Sequence, residues 1–206
     1  MTRFIFSFLA LLCLITTAAQ AEESSKEAVP PEKKTPITEW IAAENALIEP
    51  LTDEQQRTFY IIRNKHGVIR SVRVVDRDVG NAVKACGKEN PDMKDKMDDR
   101  FKAWEGSVLP ILDSAEKFLK EEIDKQEMVP ASDFRHILKM NDEAFEFSEK
   151  QIEKSPVTTK DACEGLLKSM DRTEDKLINL LLDILIPENV IRQRGERQEQ
   201  QQKDAE

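Results

Sequence analysis

The chain has 206 residues, with 31 Lys and Arg against 40 Asp and Glu, a net charge of −9 and only six glycines. An acidic balance argues against a nucleic-acid surface, which needs basic charge. Usage rich in Glu, Lys, Leu and Ala and poor in glycine favours helices over sheet, and the length permits one domain with a real core.

Residues 1–21 read as a secretory signal. Arg3 supplies one positive charge, Phe4 to Ile15 form an uncharged apolar run, and small residues at Ala19 and Ala21 predict cleavage after Ala21. Loss of Arg3 takes the formal charge of the mature chain from −9 to −10. The apolar run is short for a retained anchor, and Leu11 and Leu12 before Cys13 argue against a lipid attachment there. No second apolar span follows, so the mature chain is expected without a transmembrane segment, periplasmic or secreted. Residues 22–36 hold Ser, Glu, Lys and Pro with little to bury and read as a disordered linker. The helical domain is expected over 37–187, and 188–206 as a polar, partly disordered tail.

Within the domain, prolines and capping residues divide the chain. A short amphipathic helix is expected from Ile37 to Ile48, closed by Pro50. Thr52 with Gln55 three residues on predicts a capping box and a long helix. Asn90 and Pro91 restart the chain, as N-cap and first helical residue, for a helix to about Gln126. Ser132 is expected to cap the next, ending near Ser155 and Pro156. Thr158 or Thr159 opens the last, which Pro187 ends.

The segment from Phe59 to Val75 is rich in β-branched residues and could form a hairpin turning at Asn64 to Gly67. Alternation fails at Val74 and Val75. Val68, Val72, Val75, Val79, Ala82 and Cys86 instead recur at spacings of four and three, which predicts a helix with a heptad seam. Similar seams run from Met97 through Trp104 and Ala115 to Phe118, and from Cys163 through Met170 and Leu180 to Ile184. A weaker one, interrupted by Asn141 and Ser148, joins Phe134, Leu138, Phe145 and Ile152.

Long helices with short connections predict an all-α, up-down-up-down four-helix bundle with a short extra N-terminal helix. Two reversals bring Cys86 and Cys163 to one bundle end, each on a buried seam, so one disulfide is expected to tie the fold in an exported protein. Two buried free thiols are the alternative. Gly67 and Pro110 count to one depth from that end, with His136 nearby, suggesting a bend or small cavity.

Arg63, His66, Arg70, Arg73, Arg77 and Lys84 form a second three-four seam, basic on an acidic chain. It is either a solvated face making ion pairs with Asp76, Asp78 or the next helix, or a docking face for an acidic partner. The sequence holds no Cys-x-x-Cys, Cys-x-x-Cys-His, glycine-rich phosphate loop, nucleophile elbow or His-Glu-x-x-His, so neither enzyme activity nor a cofactor is expected. One Asp133/His136 pair is too little for a di-metal site. Leu51-Thr52-x-x-Gln55 resembles the motif of Spy/CpxP-type periplasmic helical chaperones, which are small, all-α and exported. The likeness covers this one motif, and the second copy that the family typically shows is missing. The expectation is an exported helical protein acting by protein–protein interaction at the cell envelope, with an unidentified protein partner. A small-ligand or metal-binding sensor-type bundle is the alternative.

Overall fold

The computed structural model describes residues 34–187 and 189–191, with Arg197 and Gln201 beyond them. The expected signal peptide, nearly all of the linker and most of the tail therefore lie outside the described residues. What is described is all-helical: α1 Pro36–Ile48, α2 Asp53–Glu89, a 3-10 turn Pro91–Met93, α3 Lys94–Lys125, α4 Ala131–Glu149 and α5 Lys160–Ile184. Among the described residues there is no strand, and Phe59 to Val75 lie inside the 37-residue helix α2. No helix of the described residues is long and apolar enough to cross a membrane.

Local chemistry sets most of the boundaries. Thr52 and Gln55 form the capping box at the start of α2: the Thr52 hydroxyl accepts from Gln55 N, and Gln55 Oε1 accepts from Thr52 N. The residues that resemble the chaperone motif are thus the opening of a helix. Thr35 and Thr38 make an equivalent pair at α1, and Thr159 caps α5. Asn90 departs from its expected role. Its side-chain amide donates to the carbonyls of Cys86 and Thr158, at 3.2 and 2.9 Å, instead of capping the 3-10 turn. Pro130 rather than Ser132 stands at the N-cap of α4, which ends at Glu149, well before Ser155. Past that end the chain folds back against α2, where Lys154 reaches both Glu149 and Asp78.

Cys86 and Cys163 form a disulfide with Cα atoms 5.8 Å apart, closing a separation of 77 residues. At the opposite end, buried Lys65 donates to both oxygens of Glu122 on α3 and to the Ile186 carbonyl just past α5. These two ties set α3 and α5 antiparallel to α2. His66 to Asp142 and Arg77 to Glu149 set α4 parallel to it.

Helices α2, α3 and α5 pack on one another, and the core lies between them, with Trp104, Met97, Val108, Met170 and Leu181 fully enclosed, and continues under α4 through Phe134, Ile137 and Leu138. Helix α4 lies chiefly against α1 and touches α2 and α3 over shorter stretches. A closed ring of four helices would place α4 beside α5. The packing seen here does not draw that ring, because α4 is short and α1 occupies its flank.

The buried seams differ from strict heptads. In α2 the buried line is Ile62, Lys65, Ile69, Val72, Val83 and Cys86, while Val75 is 37 % exposed. In α3 it shifts after Val108 to Leu112, Ala115, Leu119 and Ile123. In α5 it runs through Leu167 and Leu181, leaving Leu180 43 % exposed, and Ile152 lies beyond α4 and is exposed. A helix of 3.6 residues per turn drifts about 20° per heptad against a 3.5 repeat, so a strict heptad set takes in members that turn out of the core, as Val75 and Leu180 do, although Cys86 and Ile184 at the ends of their sets are buried.

Candidate functional site

The basic stripe on α2 meets carboxylates on three helices. Arg63 Nη1 donates to Glu44 Oε1 of α1 at 2.9 Å. His66 Nε2 lies 2.7 Å from Asp142 Oδ1 of α4, and Arg70 Nη1 donates to Asn141 Oδ1 and Asp142 Oδ1 at 2.6 and 3.1 Å. Arg73 turns to α3, donating to Glu116 and Asp113, each at 2.7 Å. Arg77 Nη2 donates to Glu149 Oε1 at 2.6 Å. Lys84 is exposed. Much of the stripe is therefore a polar seam joining α2 to its neighbours.

The charges follow. The hydrogen bonds that Arg73 donates to Glu116 and Asp113 raise its guanidinium above the ordinary value, against the effect of burial. Partial burial pushes the Asp142 carboxyl up, but the hydrogen bonds and charges of His66 and Arg70 outweigh it and hold the group below the usual carboxylate range. Lys154 and Arg77 lower Glu149 in the same way.

Two residues of the stripe, Arg63 and Arg70, also line a cleft of about 540 Å³. Its floor is the outer face of α2 at Asn64, Gly67, Val68 and Ser71, and its walls are Trp40 of α1, Asn141 of α4 and Leu180 of α5. The cleft exists because α4 and α5 do not close over this face. Gly67 is two residues, about 200° of helix, from Lys65, which faces α3, so it looks away from that helix. A Cβ added at Gly67 would meet nothing within 4 Å. The expected shared layer with Pro110 does not occur: Lys65 pairs with Glu122 and Arg73 with Asp113, which puts Pro110 past the level of Arg73 and well away from Gly67, and Pro110 is exposed on its own helix. His136 is likewise exposed.

The outer face of α2 continues past Ser71 and Val75 to a second cleft of about 530 Å³, where Ala82 and Ala85 face Lys154 to Val157. Five buried side-chain polar atoms among the described residues lack a hydrogen bond. Three of them, Trp40 Nε1, Glu44 Oε2 and Arg70 Nε, belong to the junction of α1 and α2 beside the first cleft. The other two are Asp76 Oδ1 and Trp104 Nε1. Burial and the Asp76 charge raise the Glu105 carboxyl, against the pull of Lys84.

A smaller cavity of about 250 Å³ lies between α2, α3 and α4, floored by Ile69, Leu119 and Ile123 and rimmed by His66, Lys120 and Arg135. No group of three or more His, Cys, Asp or Glu side chains among the described residues is placed to hold a metal ion. Asp133 is exposed on α4 and bonded to the Ser132 hydroxyl at 3.1 Å.

Sequence reasoning placed Leu180 in the core and assigned no role to Lys65, Trp40 or Asn141 in a site. Asn141 carried a signal: a polar residue interrupting an apolar seam marks a place where that seam is not facing the core. Leu180 carried none, because its exposure depends on where α4 lies. Comparisons with protein-family models, with curated proteins and with solved structures find no match to this chain.

Proposed function

We propose that this is an exported, non-enzymatic helical protein that acts by binding a protein partner at the cell envelope. The single observation that carries the reading is the open trough over α2 between α4 and α5. Along it Leu180 stands exposed beside Arg63 and Arg70, and Val75 stands exposed further along the same face of α2. Apolar anchors beside positioned arginines are what interaction surfaces are enriched in. The signal-like first 21 residues and the disulfide support export to an oxidising compartment. In this reading α2 to α5 follow an up-down-up-down course, and α1 completes the wall that short α4 leaves unfinished.

The test places a photocrosslinking amino acid at Val75, at Leu180 and, as control, at exposed Lys117 of α3. The trough positions are expected to trap one protein from the envelope, which then re-forms a complex from purified components. No adduct, or equal adducts from Lys117, would defeat the reading.

A further inference from the structure

The geometry points to a defined occupant for the first cleft: an acidic peptide segment of the partner that seats an apolar side chain over Gly67 and sets flanking carboxylates against Arg63 and Arg70, one to either side. The inference rests on the interaction reading above and adds the chemistry of the partner.

Arg63, Gly67 and Arg70 succeed one another at four and three residues, so they lie on one face of α2 with an arginine about one turn to either side of the glycine. The glycine leaves a hollow, because open space stands where its Cβ would be. Val68 and the walls of Trp40 and Leu180 make the hollow's surroundings apolar, and Leu180 is 43 % exposed with its face toward it.

Both guanidinium groups are held in place and keep donors to spare. Arg63 lies over the Tyr60 ring at 5.1 Å and spends single hydrogen bonds on Glu44 and Asn64. Arg70 lies over the Phe145 ring at 4.3 Å, and all its hydrogen bonds leave from Nη1. A guanidinium carries five N–H groups, so each fork can accept a further carboxylate without releasing its present partners. Fixing the side chains beforehand removes part of the entropic cost of binding.

Charge selects the occupant. On a chain of net charge −9 the cleft is lined by two arginines and by no aspartate or glutamate. Glu44 and Asp142 sit behind the arginines as their partners and do not line it. A neutral apolar segment would leave the spare donors facing nothing, and a basic one would meet like charge. The cleft also opens lengthwise onto the outer face of α2, which suits a chain segment.

The test uses a fluorescently labelled octapeptide of alternating Leu and Glu, with Leu/Gln and Leu/Lys octapeptides and dodecanoate as comparisons, measured by anisotropy on the full oxidised protein. The wild type is expected to bind the Leu/Glu peptide, at least tenfold more tightly than either other peptide, and more weakly as salt rises. Gly67→Leu fills the hollow, and Leu180→Glu sets a negative charge at its wall. Each is expected to weaken binding at least tenfold, with the dichroism spectrum and melting temperature retained. Failure of the Leu/Glu peptide to bind, equal binding of the Leu/Gln peptide, or unchanged binding by both variants would overturn the inference, and tighter binding of dodecanoate would assign the cleft to a lipid instead. A partner trapped at Val75 or Leu180 that Gly67→Leu still binds with unchanged affinity would remove this occupant while leaving the interaction reading intact.

Discussion

A Cβ built on Gly80 would lie 3.0 Å from Phe101 Cζ, whereas one on Gly106 would touch nothing within 4 Å. Both glycines sit inside helices, where replacement by alanine is favoured by about 0.5–1 kcal/mol through the unfolded chain and helix propensity. At Gly106 that gain stands alone, and Gly106→Ala is expected to raise stability by about that amount in urea unfolding. At Gly80 the Phe101 ring must yield. It is stacked on Trp104 at 6.0 Å, and Trp104 is only 1 % exposed, so the ring has little room to retreat. Gly80→Ala is therefore expected to lower stability by about 1 kcal/mol or more, as overpacking does. A gain at Gly80 equal to that at Gly106 would show that Phe101 moves freely. Gly80 occupies the gap in the basic stripe between Arg77 and Lys84, and there the Phe101 ring of α3 fills the space a side chain would take.

The first half of α4 is buried in the core through Phe134, Ile137 and Leu138, with the Phe59–Phe134 rings at 4.6 Å, and its second half is joined to α2 largely by polar groups, Asp142 and Asn141 to His66 and Arg70, and Glu149 to Arg77. Asp142 and Glu149 both have their carboxyl pKa lowered in the folded protein. A lowered carboxyl pKa contributes stability that is full above the unfolded value and is lost as pH falls through the folded one. The α2–α4 seam is thus expected to weaken below about pH 4, the ordinary carboxylate range, and to weaken with added salt at neutral pH because its outer pairs are exposed. Amide exchange followed by mass spectrometry should show α4 opening before α2, α3 and α5; uniform protection from pH 7 to pH 3 would contradict this. How far such an element is legible depends on what fixes it. Thr52, Gln55, Thr159 and the prolines act locally, and the helix boundaries they set were readable from sequence. The end of α4 at Glu149 was not, because no proline or glycine marks it, and the contact of Lys154 with Asp78 beyond it is one between residues far apart in sequence. The stripe was readable as a stripe, but its partners on α1, α3 and α4 follow from how the helices lie. The heptad sets mark buried faces at Cys86, Met97 and Cys163, but a strict repeat also takes in Val75 and Leu180, which the 3.6-residue helix turns toward solvent.

The trough stays open because α5 is held against α2 and α3 at both of its ends. At one end is the Cys86–Cys163 disulfide, backed by the Asn90 side chain bonded to Thr158; at the other is Lys65, bonded to Glu122 and to the Ile186 carbonyl. Held at both ends, α5 cannot slide toward α4 and cover the face of α2 that carries Gly67. Cross-linking across 77 residues removes unfolded-state entropy worth about 4 kcal/mol in the chain-entropy model, and loss of a native bridge costs about 2–5 kcal/mol in practice. Replacing both cysteines by alanine is therefore expected to lower unfolding stability by that amount while the helical dichroism spectrum persists, since the buried core of α2, α3 and α5 remains. The loss should also be local in its first effect. Amides in the first turns of α5, after Thr159, should lose protection before those near Ile184, where Lys65 still holds the chain. Intact mass of the unreduced protein should be two hydrogens below that of the reduced form. Alkylation of Cys86 and Cys163 without reductant, or equal stability with and without the bridge, would show that packing alone fixes α5 and that the trough does not depend on the tie.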